Sequence, residues 1–217
     1  MTNSQFVYFA DPMCSWCYGF GPVMTDLVEH FSGRLGLQVV MGGLRAGNTE
    51  PMTERDKDYI REAWNKVGAA TGQPFDPSFF DRETFVYDTE PACRAVVTAR
   101  TLQPDMGMPM LARVSRAFYA EGRDMTCADA IAEVAEEAGF ERSAFGAAFA
   151  SPEVQNATFR DFLIAQELGI RGFPTLIAGS EKQGYALVTS GYRPLEELVD
   201  PLERWLEAGA PVTKAET

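Results

Sequence analysis

Cys14 and Cys17 stand two residues apart in the run FADPMCSWCYGFGP, residues 9–22. A Cys-x-x-Cys pair serves as half of a metal clip, as a structural disulfide, or as a working redox couple. A structural zinc site takes four ligands, commonly two such pairs or a Cys/His set. The chain holds four cysteines and one histidine. Cys93 and Cys127 are far apart and neither belongs to a second pair, while His30 stands alone and reads as a solvated helix residue. No metal site is expected. The redox use needs a thiolate at one cysteine and a second thiol that can attack the mixed disulfide it forms.

The flanking elements suit that use. QFVYFA, residues 5–10, is rich in Val, Tyr and Phe and reads as a strand. Phe20, Val23, Met24, Leu27, Val28 and Phe31 follow helical spacing. Pro22 intrudes early and is expected to kink or restart this helix. LQVVM, residues 37–41, is a second strand closed by Gly42-Gly43. The unit is β-α-β, with parallel strands and a right-handed crossover. Cys14 then lies where strand becomes helix, and the free N–H groups of a helix start favour a thiolate there. Cys17, one turn on, is placed to resolve. The intervening Ser15-Trp16 adds no positive charge, so a less oxidising disulfide than that of the strongest oxidants is expected.

From about residue 45 to residue 150 the pattern is helical throughout. Helices are expected around Ile60–Val67, over Pro91–Leu102 with Cys93 near its start, and over Met110–Ala120. Thr126 and Asp129 have capping-box spacing for another, and Ser143–Phe149 is a short one. Ser151-Pro152-Glu153 is an N-cap, a proline at N1 and a first-turn acid, and that helix stops at Gly169. Residues 175–178 and 185–189 form a hairpin, and Leu195 to Leu206 trace a last amphipathic helix. A β-α-β half and a β-β-α half around one sheet make an α/β thioredoxin fold, with an all-helical domain inserted between the halves. The boundaries read as 1–45 and 151–209 for the thioredoxin-like domain, 46–150 for the insertion, and 210–217 for a flexible tail.

Thirty-one acids against 19 bases leave a net charge of −12 over 217 residues. That balance disfavours nucleic acid and anionic membranes as partners. The first residues lack the basic and apolar regions of a signal peptide, and no apolar run reaches the length of a membrane span. A cytoplasmic location follows as the expectation, where permanent disulfides are rare. Composition is compatible with a monomer or a homodimer.

DPMCSWCYGFGP together with GFPTL, residues 172–176, resembles the DsbA-like branch of the thioredoxin superfamily. DTEPACRAV, residues 88–96, is similar to the FrnE-like group, often described as predicted protein-disulfide isomerases. The resemblance implies a cis bond at Phe173-Pro174, with Pro174 packed against the cysteines and the helical domain covering the site. It implies catalytic Cys14, Cys17 and Pro174, and substrate contacts at Trp16, Phe173 and Thr175. Core packing is an equal reading of Phe173. Such enzymes often carry a buried acid beside the resolving cysteine. Asp11 is the candidate here, although turn capping before Pro12 is its simpler role. Cys93 and Cys127 read as small buried hydrophobes, with an auxiliary thiol as the sharper reading of Cys93.

The implied activity is thiol–disulfide oxidoreduction, either reductase or isomerase. The implied partners are protein or peptide thiols and disulfides, with no bound cofactor and with glutathione or a thioredoxin-type reductant as electron partner. A glutathione-dependent isomerase or transferase, of the 2-hydroxychromene-2-carboxylate isomerase or kappa type, shares the architecture. Those enzymes typically have a serine at the first position and no resolving cysteine. A third reading is a chaperone-like peptide-binding module that uses Met106, Met108 and Met110 as an adaptable surface.

Overall fold

The computed structural model describes residues 4–208. The tail expected at 210–217, and residue 209, lie outside the described residues. Strand β1 (Gln5–Ala10), helix α1 (Ser15–His30) and strand β2 (Gly36–Met41) come first. Helices α2 (Glu54–Thr71), α3 (Glu90–Leu102), α4 (Gly107–Tyr119), α5 (Ala128–Glu137) and α6 (Arg142–Phe149) follow, with short 3-10 turns at Pro77–Asp81 and Pro104–Met106. The chain then runs through α7 (Pro152–Glu167), β3 (Thr175–Ser180), β4 (Gly184–Ser190) and α8 (Glu196–Glu207).

The four strands form one sheet in the order β2-β1-β3-β4. β1 is parallel to β2 and antiparallel to β3, so Tyr8 lies opposite Val39 on one side and Leu176 on the other. Alternation along β1 divides its side chains between two cores. Phe6, Tyr8 and Ala10 join the large core with Phe20, Met24 and Leu27 of α1, Leu198 and Leu202 of α8, and the apolar faces of α3 and α4. Val7 and Phe9 join a smaller core with Val40 and Ala165 of α7. The cysteine-bearing helix therefore sits on the large-core face of the central strand.

The inserted helices pack around an aromatic cluster. Trp64 of α2 lies 4.8 to 5.2 Å, ring to ring, from Phe75, Phe79, Phe80 and Tyr119. α1 meets α2 closely at Gly19, where a Cβ would come within 2.7 Å of Val67 Cγ1. Edge strand β2 is closed by side chains instead of another strand. The Met41 N–H donates to Asp161 Oδ2 of α7 at 2.8 Å, and Arg100 of α3 donates to the Val39 carbonyl. Arg100 also pairs with Asp161 Oδ1 at 2.7 Å. These two charged side chains satisfy the Met41 N–H and the Val39 carbonyl at the buried end of an edge that would otherwise leave them unpaired.

Several local expectations change. α1 runs without interruption through Pro22, whose missing N–H is tolerated inside the helix. Thr126 does not cap α5. Its N–H and hydroxyl both go to Asp124 Oδ1, which leaves Cys127 at the N-cap without a side-chain bond. A capping box does occur at Thr53 and Asp56, opening α2. His30 is not alone: its Nε2 lies 2.8 Å from Glu203 Oε1 of α8, which Arg34 also grips. Arg34 first, and then His30, hold the Glu203 carboxyl at about 2. Ser151 caps α7 through the Val154 N–H, and Gly169 takes φ +70° just past its end, both as expected.

Candidate active site

Cys14 is the N-cap of α1, in extended conformation, and its N–H donates to the Asp11 carbonyl at 3.0 Å. Its thiol donates to the carbonyl oxygen of Phe173 at 3.4 Å. The Phe173–Pro174 peptide is cis. Two segments 159 residues apart thus meet at the start of the helix: the Cys-x-x-Cys turn and the turn that opens β3. Cys17 is one turn into α1, and both cysteines are free thiols that sit nearly covered, Cys14 at 6 % exposure and Cys17 at 3 %. Burial first, and then the Cys14 sulfur, push the Cys17 thiol well above the ordinary range. Cys17 is therefore a proton-bearing group that must be deprotonated before it can attack.

The residues around the second turn divide their roles. The Phe173 ring lies over Gly42, so close that a Cβ there would stand 2.0 Å from ring carbon Cζ. Its side chain packs while its backbone faces Cys14, so the two readings of this residue apply to different atoms. Pro174 is buried, and its carbonyl accepts the Gly191 N–H at 2.7 Å. Thr175 is also buried, and its hydroxyl donates to the Gly172 carbonyl at 2.8 Å, which ties the turn to itself. Trp16 is half-buried on the outer side of the site, with its ring 5.9 Å from that of Tyr192.

The loop before Cys14 is held by groups from far along the chain. Asp11 is completely buried; its Oδ1 accepts the Met13 N–H at 2.8 Å and its Oδ2 the Leu44 N–H at 2.7 Å. Asp11 is thus both the turn cap and a buried acid. Burial raises its carboxyl above the usual range, against the lowering effect of its hydrogen bonds. Ser115 of α4 donates to the Pro12 carbonyl at 2.9 Å, and the Tyr87 hydroxyl, just before α3, donates to the Met13 carbonyl at 2.6 Å. Residues 11, 12 and 13 are each pinned from outside the β-α-β unit.

Cys93 is fully buried, with its thiol 3.5 Å from Asp11 Oδ2, on the inner side of this loop. Burial, and then the Asp11 charge, keep it in the thiol form. Cys127, expected to be buried, is exposed because it sits at the open N-terminus of α5. Met110 is a core residue, while Met106 and Met108 are half-buried and pack against the core. The sequence motifs do not mark Tyr8, Tyr87 and Ser115 as site residues. For Tyr8 a signal existed: it shares the strand face of Phe6 and Ala10, which points toward the cysteine-bearing helix. Tyr87 and Ser115 carried none, because only the packing of the inserted helices brings them to the loop. Among the described residues no group of three or more His, Cys, Asp or Glu could hold a metal ion, and no helix is long and apolar enough to cross a membrane.

The sheet order, the helix that starts at a Cys-x-x-Cys and the facing prolyl turn together define the thioredoxin class of fold. Within it, the DSBA-like thioredoxin domain matches residues 5–203, and the chain belongs to that family. A protein of Nitrosomonas europaea provisionally assigned as a disulfide isomerase superposes with TM-score 0.88 at 35 % identity, over 95 % of this chain and 98 % of that one. The cytosolic disulfide reductase DsbM of Pseudomonas aeruginosa, solved with glutathione, superposes with TM-score 0.72 at 28 % identity, over 94 % and 98 % of the two chains. The ClpXP adapter protein SpxH of Bacillus subtilis is 24 % identical over 79 % of this chain. The chain spans 57 % of that relative's length.

Proposed function

We propose that this protein is a cytoplasmic thiol–disulfide oxidoreductase that reduces or isomerises protein disulfides through Cys14 and Cys17. The observation that carries this reading is the Cys14 thiol at a helix N-terminus, 3.4 Å from the Phe173 carbonyl on the facing turn. The Cys14 thiolate attacks one sulfur of a substrate disulfide. A Cys14–substrate bond forms, the substrate S–S bond breaks, and the second substrate sulfur leaves as a thiolate that takes up a proton. Cys17 loses its proton and attacks Cys14 Sγ. The Cys14–Cys17 disulfide forms, the substrate is released as a thiol, and the enzyme is oxidised by two electrons. Glutathione, which DsbM was solved with, or a thioredoxin-type dithiol returns those electrons.

Pro174 shapes the groove beside Cys14. The Phe173 backbone meets an extended substrate strand, and Trp16 forms the outer wall. Thr175 acts through the turn it closes. Cys93 remains a thiol donor to Asp11 during turnover.

The test is to equilibrate the protein across glutathione buffers, trap thiols by alkylation and read the masses. A reversible transition from two thiols to one internal disulfide at Cys14–Cys17 is expected, with Cys93 alkylated only after unfolding. A potential near ~−270 mV would mark a reductase, and one well above ~−200 mV an oxidant or isomerase. Cys14→Ala is expected to abolish disulfide reduction, and activity that survives it would sink the reading. A stable glutathione adduct with no internal disulfide would favour the glutathione-dependent isomerase alternative.

A further inference from the structure

Cys17 must give up a proton from a covered position, and the fold offers two acceptors beneath it. One is Asp11. Its carboxylate already accepts the Met13 and Leu44 N–H groups and the Cys93 thiol, and it does not line the cavity between α1 and α4 that reaches Cys17. The other is the Tyr8 hydroxyl. Tyr8 is completely buried, and its oxygen has no hydrogen-bond partner among the described residues. A buried polar atom left in that state costs about 1–3 kcal/mol, so the position asks for a reason.

The reason lies in a cavity of about 200 Å³ between α1 and α4. Tyr8 and Cys17 line its buried end. Pro22 and Thr25 of α1 and Ala112 and Arg116 of α4, all exposed, line its mouth. The cavity therefore reaches Cys17 from a side separate from the Phe173 carbonyl, which bonds Cys14. Its volume suits several water molecules at ~30 Å³ each, and its walls carry the polar groups that water needs.

We propose that Tyr8 relays the Cys17 proton to solvent through this cavity. The inference rests on the oxidoreductase reading above and adds the path of its second step. As Cys17 attacks Cys14 Sγ, its thiol turns toward the unpartnered Tyr8 oxygen, which accepts the Cys17 proton and passes its own phenolic proton to cavity water. The phenol is neutral before and after, and the released proton leaves as hydronium at the mouth. The electron pair of the broken bond departs with the substrate sulfur. Burial, and then the two cysteines, raise the Tyr8 hydroxyl well above its ordinary range and keep it neutral, as a neutral relay requires. The other groups that titrate or carry charge around the pair are Cys14 and Tyr18 on α1, Asp11 in the loop, and Arg116 on α4. Tyr8 touches no substrate, but it handles the reacting proton itself and is a catalytic residue of the second step.

An aromatic disulfide reagent separates the two steps, because each thiolate it releases is coloured. With the exposed Cys127 replaced by Ser in every protein compared, the first release reports Cys14 attack, and the second reports Cys17 attack on the adduct. Tyr8→Phe is expected to slow the second release relative to the first by at least about tenfold at pH 7. Its pH midpoint should rise and its solvent isotope effect should change. Removing a hydroxyl that bonds no protein group should leave stability in urea equal or higher, so a slower second step would not come from a damaged fold. Should Tyr8→Phe not fold, Ala112→Phe closes the mouth and is expected to slow the same step with Tyr8 in place. A second release at the parent rate with an unchanged pH profile, in whichever variant folds, overturns the relay alone. A parent protein that never gives a second release overturns both the relay and the oxidoreductase reading.

Discussion

Asp11 shows how one side chain can serve geometry at a cost in charge. It turns the chain before Pro12 and anchors Leu44, yet its carboxyl is sealed from water and raised above its ordinary value by burial. The native state therefore holds a proton on Asp11 more tightly than the unfolded chain does. Where the native state binds more protons, stability falls as pH rises. That fall should begin near the ordinary carboxylate value of 3.8 and end above the raised one. The stability of the parent protein relative to Asp11→Asn, read from urea midpoints measured from pH 4 upward, should decline as pH rises, because the lowered carboxyls such as Glu203 are common to both. The variant should be less stable overall, because an amide nitrogen would face one of the two N–H donors.

At the scale of elements, the sheet edge depends on charge. Asp161 is 5 % exposed and holds both the Met41 N–H and Arg100. Arg100→Met would leave that carboxylate buried beside a single backbone donor. Breaking a buried pair from one side costs about 3–5 kcal/mol, and a loss near the lower end is expected, since the Arg100 side chain keeps 23 % exposure. Chemical denaturation measures it directly. The double variant Arg100→Met/Asp161→Leu should recover part of the loss, because the unpaired charge is then gone.

For the whole molecule, the inserted helices do more than cover the sheet. Tyr87 and Ser115 grip the carbonyls of Met13 and Pro12, the two residues before the reactive cysteine. Tyr18 of α1 stacks on Tyr119 of α4 at 5.0 Å and donates to the Pro74 carbonyl. Tyr87→Phe leaves a buried carbonyl with one donor fewer, worth about 1–3 kcal/mol of stability. It should also slow Cys14 attack on a disulfide more than Cys17 resolution, since it loosens the loop that sets the Cys14 end of the helix. The two-release assay reads both rates.

The order of elements, the parallel β-α-β, the cysteines at the strand–helix junction and the GFPT turn are all legible in the sequence. Each rests on local periodicity, on turn chemistry, or on a short motif whose residues are neighbours in the chain. Thr126 misled because capping-box spacing recurs by chance, and Asp124 competes for the same hydroxyl within two residues. His30 misled because Glu203 is 173 positions away. Tertiary packing alone decided that Asp11 is sealed between Cys93 and Leu44, that Tyr8 borders a cavity leading from Cys17 to solvent, and that the insertion pins residues 11–13. Burial and partnership across a hundred residues depend on which faces meet, and the local pattern that makes a helix or a strand does not specify that.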